Sequence, residues 1–203
     1  AHYILMFVIL FYTGMCISFQ IFWEFWYLDK LSATPLLIGG AVAIRRPLVA
    51  LSMFLSCHCI RKIGDLNTVC VALLLYTCSF LALSFTHIAW LVIVIDTFQA
   101  AAYGLHYCAF VGIFSKVTSK ENSSVIFGIQ EAVYGVGFEA GSTLMGILFH
   151  ALGTQLTLLI YSISSAMVLV LLLLYTRFST SVHDYEKVAQ DSETWEDNDT
   201  NDY

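Results

Sequence analysis

Charge is what this sequence has least of. Nine Lys or Arg and fifteen Asp or Glu make up 12% of its 203 residues, roughly half the share found in an ordinary soluble domain. So few basic residues, scattered singly or in pairs, leave no patch that would hold a nucleic-acid backbone. Proline is scarce too, with two residues, so long stretches lack the commonest helix breaker. There is no phosphate-cradling glycine loop, no metal-ligand set on one helix face and no nucleophile beside a base. An enzyme is therefore not expected, and no cofactor or metal is called for. The six cysteines, Cys16, Cys57, Cys59, Cys70, Cys78 and Cys108, all lie in apolar runs rather than loops, so no disulfide framework is implied. Cys57, His58 and Cys59 have the chemistry of metal ligands, but side chains two apart on a helix point about 200° away from each other, and a packing role is the expectation.

What the chain has in abundance is hydrophobicity, 59% of its residues. Six apolar runs cover residues 3–28, 35–60, 66–85, 88–114, 123–150 and 154–176. Each reaches the roughly 20 residues an α-helix needs to cross about 30 Å of hydrocarbon, and none alternates as a barrel strand would. The expected fold is an all-α membrane protein with six transmembrane helices over residues 1–177. Residues 178–203 hold eight acids against Lys187 and are expected to form an acidic, disordered tail. Outside the runs, Arg61, Lys62, Lys116, Lys120 and Arg177 share one side and Lys30 the other, which places the tail in the cytoplasm. Trp23, Trp26, Tyr27 and Trp90 then fall at the outer interface. The chain starts with Ala in mid-run, so a preceding part is expected to be missing.

Ionisable residues are distributed unequally among the runs. The first holds Glu24, the second Arg45 and Arg46, the fourth Asp96 and His106, the fifth Glu131 and Glu139, and the third and sixth none inside. A charge in the bilayer interior costs about 2.5–3.5 kcal/mol on insertion scales. Runs one, two, four and five are thus expected to face protein or water, with three and six as outer walls, a three-plus-three division seen in secondary transporters. At 100° per residue, Asp96, Gln99, Tyr103, His106 and Tyr107 share one stripe, as do Gly128, Glu131, Gly135, Glu139, Ser142 and Gly146. Gln20, Trp23, Glu24 and Tyr27 do likewise on the first run. The plainer readings stand beside these: Gly137 and Gly141 as sites of close helix approach, the tyrosines as packing residues, His106 as a satisfied core histidine. Arg45 and Arg46 diverge by about 100°, so one is expected to meet Glu139 or Asp96 and the other a backbone carbonyl, a neighbouring helix or water.

The stretches "FQIFWEFWYLDKLSATPLLIGGAVAI", "IRKIGDLN", "AWLVIVIDTFQAAAYGLHYCAF" and "SSVIFGIQEAVYGVGFEAGSTLMGILFHALG" resemble the last six helices of a major facilitator superfamily transporter, specifically the family of major facilitator superfamily domain-containing protein 6. The resemblance covers residues 15–177. It implies the C-terminal half of a twelve-helix protein, with a central cavity opening alternately to either side and a missing N-terminal half as partner. It also implies a cytoplasmic gating turn at Arg61, Lys62, Gly64 and Asp65. The chain departs from the family pattern at Val49, where the second helix carries an acid, and at Phe138, where the glycine-rich helix carries an arginine.

Together these features predict a transporter that moves a small solute by alternating access, with a proton or another cation as candidate coupling ion, in a plasma or endosomal membrane. The candidate substrate or coupling residues are Glu24, Arg45, Arg46, Asp96, Gln99, His106, Glu131 and Glu139. Membrane lipids are the expected surroundings. The alternative is a surface receptor or scaffold that keeps the transporter fold without transport. Tyr185 to Val188 resemble a tyrosine-based sorting signal, and the sequons at Asn122 and Asn198 are expected to be unused on the cytoplasmic side.

Overall fold

The computed structural model describes the backbone of residues 2–118 and 122–199. The side chains of residues 2, 3, 22, 23, 25, 117 and 178–199 lie outside the described set. Lys120, the Trp23 side chain, the tail acids, Tyr185 and Asn198 therefore fall outside it as well.

The described residues are helical, without a strand, and six helices are long and apolar enough to cross a membrane. The first run is in three pieces: α1 (His2–Ser18), a π-helical turn (Phe19–Trp23) and α2 (Glu24–Lys30). The others are α3 (Pro35–Ile63), α4 (Asp65–Phe85), α5 (Ala89–Val117), α6 (Ser123–Leu152) and α7 (Thr154–Asp199). Crossing segments are longer than the apolar runs at several ends because amphipathic turns extend them. Apolar crossing in α7 ends at Arg177, while its backbone stays helical through the acidic segment for which composition predicts disorder.

Local chemistry explains the boundaries. Thr34 caps α3 by accepting from the Leu37 N–H, and Pro35 follows at the first helical position, where its missing N–H costs nothing. Two of the connections are a single glycine. Gly64 (φ +84°) joins α3 to α4, and Gly153 (φ +79°) joins α6 to α7, in backbone conformations that a side chain disfavours. Each donates its N–H back four residues, to Ile60 and Phe149. Each also accepts from the hydroxyl of a threonine four residues on, Thr68 at 2.7 Å and Thr157 at 2.8 Å. The second-to-third and fifth-to-sixth connections are thus built alike, the local mark of a three-plus-three repeat.

Packing interleaves the two triples: α1 lies against α6, α3 against α5, and α4 against both α5 and α7. Small residues make the α1–α6 and α3–α5 contacts close. A Cβ on Gly137 or Gly141 would run into the backbone of Phe11 or Met15, and one on Gly14 would lie 2.5 Å from the Tyr134 carbonyl oxygen. Gly104 of α5 sits on Ser52 of α3, whose hydroxyl donates to the carbonyls of Val49 (2.8 Å) and Ala100 (3.3 Å). Serines also tie α7 to α4, Ser162 donating to the Thr77 carbonyl at 3.0 Å and Ser165 to that of Leu73 at 3.2 Å.

The outward faces differ in kind. Those of α4 (Val71, Leu74, Leu81, Phe85) and α7 (Ile163, Met167, Val170, Leu174) are apolar, as walls toward lipid should be. Those of α3 and α6 expose Arg46, Glu131 and Glu139 among small and apolar residues.

Candidate functional site

One crossing helix is interrupted, and its neighbour α3 carries a proline, near the same place. The π-helical turn interrupts the first between Ser18 and Glu24, and Pro47 stands inside α3, removing a backbone donor there. Such interruptions gather at functional sites. Between them lies the most heavily charged part of the interior.

Arg45 is at its centre. Its Nη2 pairs with Glu24 Oε2, its Nε donates to Asp96 Oδ2 at 2.7 Å, and its Nη1 donates at 2.5 Å to the carbonyl of Gln20, inside the π-helical turn. Glu24 has no exposed surface, Asp96 is 4% exposed and Arg45 8%. One guanidinium therefore faces two carboxylates, leaving one formal negative charge in a low-dielectric setting. Several polar atoms around it have no hydrogen-bond partner among the described residues: Glu24 Oε1, Asp96 Oδ1, the Gln20 amide nitrogen and both amide atoms of Gln99. Gln99 is buried one turn from Asp96 on the same face of α5.

Arg45 thus meets Asp96, as one of the two expected pairings, and adds Glu24, which sequence spacing did not pair with it. Glu139 does not join them. It is exposed on α6 with no ion pair or hydrogen bond among the described residues, because the α6 face that packs inward is Gln130, Gly137, Gly141, Met145 and Phe149. Glu131 is exposed on the same outward face and accepts from the Tyr107 hydroxyl at 3.0 Å. The backbone carbonyl foreseen for the second arginine goes to Arg45 instead.

Arg46 does not join the cluster's hydrogen bonds but lines a cavity of about 290 Å³ between α1, α3, α5 and α6, of which Arg45 and Gln20 form the cluster side. Tyr103, Tyr134, Phe138 and Gly135 form its far side. Val49 and Phe138, the two departures from the resembled family, both line it. Arg46 makes no hydrogen bond or ion pair among the described residues.

His106 lies beneath this cavity, fully buried amid the rings of Tyr76, Tyr103, Phe110 and Tyr134 at centroid distances of 5.7, 5.4, 6.4 and 6.1 Å. Its Nδ1 is 3.0 Å from the Ala102 carbonyl, while Nε2 has no partner among the described residues. Tyr27 belongs to the framework, donating to the carbonyls of Leu83 and Thr86. Trp26 and Trp90 are exposed, with Lys30 Nζ 5.3 Å above the Trp26 ring.

At the turn between α3 and α4, for which the resemblance implies gating, Arg61, Lys62 and Gly64 are exposed and Asp65 is buried. Asp65 pairs with Lys116 at the end of α5 and rests on Gly112, where a Cβ would lie 2.6 Å from its Oδ1. Lys116 counted only toward orientation in the sequence; nothing in its spacing marks it as the partner. Cys57 and His58 are exposed and Cys59 half-buried, on different sides of α3. No group of metal-ligating side chains occurs among the described residues.

A model of the family described as "MFS_1 like family" matches residues 1–160. No curated protein matches the chain.

Proposed function

We propose a function from one premise: the chain belongs to the MFS_1 like family, within the major facilitator superfamily, and is an integral multi-pass membrane protein with a transporter-type fold. On our reading it moves a small solute by alternating access. It supplies one six-helix half, and its exposed α3 and α6 faces meet a second half from preceding chain. Residues 178–203 form its cytoplasmic tail, in a plasma or endosomal membrane.

The observation that carries this reading is the buried Glu24–Arg45–Asp96 cluster. An intramembrane charge is expensive, and one that is kept marks a functional site by default; a scaffold has no need of two acids on one arginine. The cluster ties the first crossing helix and α3 to α5, so any change in its charge or hydration acts on all of them at once. That gives a coupling device between helices of the two triples.

Reconstituted full-length protein, offered a mixture of labelled metabolites, should accumulate solute when an inward proton gradient is imposed. Asp96→Asn should lose accumulation yet retain exchange of solute without a gradient. Accumulation that ignores the gradient in both proteins would remove the proton from the mechanism. Absence of all flux would favour the receptor or scaffold.

A further inference from the structure

The two adjacent arginines have unequal chemistry left to offer. Arg45 spends Nε, Nη1 and Nη2 on Asp96, Gln20 and Glu24, and its charge is more than matched by carboxylates. Arg46 has a full charge, no hydrogen-bond or ion-pair partner among the described residues, and a place on the cavity wall. No carboxylate lines that cavity. The nearby acid Glu131 faces outward and is held by Tyr107.

The rest of the wall says what else a ligand must be. Tyr103, Tyr134 and Phe138 present ring surface, Val49, Ile17 and Ile21 present aliphatic surface, and Gln20 and the already engaged Arg45 complete the lining. A Cβ on Gly135 would touch nothing, so the wall beside the rings is open. A guanidinium offers a planar pair of donors matched to carboxylate and sulfonate oxygens. A cation would be repelled by Arg46.

We infer that Arg46 and the Tyr103–Tyr134–Phe138 wall form the subsite for a small organic monoanion with a flat apolar body, of the carboxylate or sulfonate type. Arg46 holds the anionic head, and the rings hold the body. The transporter reading enters only in calling this ligand a substrate; the binding chemistry stands on the cavity alone.

The test uses full-length protein in detergent, with benzenesulfonate as the probe because it stays ionised and does not cross lipid freely. Its neutral isostere benzenesulfonamide is the control. Benzenesulfonate should raise the melting temperature and benzenesulfonamide should not. Arg46→Gln should bind benzenesulfonate about 10- to 100-fold more weakly, the factor for losing a charged hydrogen-bonding partner. Arg46→Lys should keep part of the affinity and Phe138→Ala should lose part of it.

Equal binding of the sulfonamide, or undiminished binding by Arg46→Gln, overturns the inference. So does an unliganded Arg46→Gln that melts several degrees low and regains stability, but no probe binding, as Arg46→Lys; Arg46 is then an ion-pair partner of another segment. Proteoliposome counterflow separates the two readings. Arg46-dependent binding without flux keeps the anion subsite and sinks transport, whereas gradient-driven uptake of other solutes without benzenesulfonate binding keeps transport and sinks the anion class.

Discussion

Arg45 and Arg46 share a peptide bond and line one cavity, yet the first is buried and tied to three partners while the second is exposed and tied to none among the described residues. Around Arg45, three helical elements converge, every guanidinium nitrogen meets an oxygen, and the neighbouring acids are sealed in. Around Arg46, the same helix turns outward toward tyrosine rings and unfilled space. A closed charge cluster is held by its partners, so it resists substitution; a lone charge on a wall is free to meet something that arrives. The same contrast runs along α6, where Gly137 and Gly141 touch backbone on one side while Gly128 and Gly135 touch nothing on the other.

The largest blow to this contrast should come from Arg45→Gln, which strands two buried carboxylates and should cost about 3–5 kcal/mol in detergent unfolding. Adding Glu24→Gln and Asp96→Asn to it should recover most of the loss, since a neutral cluster no longer needs a cation. A singly substituted Arg45→Gln protein that melts like wild type would mean the cluster is open to water. Next comes Gly141→Leu, which must push α1 from α6 and should cost about 1–3 kcal/mol, whereas Gly135→Ala should leave melting unchanged. Ser52→Ala, losing one hydrogen bond between α3 and α5, should cost about 0.6 kcal/mol, the average for such bonds in membranes. Smallest of all, Glu139→Gln should leave unfolding of the isolated chain where it was; a clear drop would show that Glu139 has a partner across the open face.

Much of this was legible early. The six crossings, the start of α3 at Pro35, the close approach at Gly137 and Gly141 and Asp96 as one of two expected arginine partners follow from spacing and side-chain chemistry. The π-helical turn did not, because nothing in the residues of "FQIFWEF" marks a widened turn, and its Gln20 carbonyl meets a donor, Arg45, from another helix. Glu24 as the second partner depends on that turn, which shifts its azimuth relative to regular helix. Glu139 was placed on the correct stripe of α6, but that stripe faces outward, so its pairing with an arginine inside the unit was misplaced.

The sequence by itself determined that this chain crosses a membrane six times and where, since crossing depends on local length and hydropathy measured against a fixed thickness of hydrocarbon. It also determined that Arg45 and Arg46 must diverge, because the helix sets the angle between neighbours. Only the tertiary structure decided which arginine is buried. Helical periodicity fixes relative angles along one helix but not the direction in which the whole helix is turned, and that direction is set by neighbours: Gly104 beneath Ser52, Asp96 beside Arg45, and the glycine contacts that draw α6 onto α1.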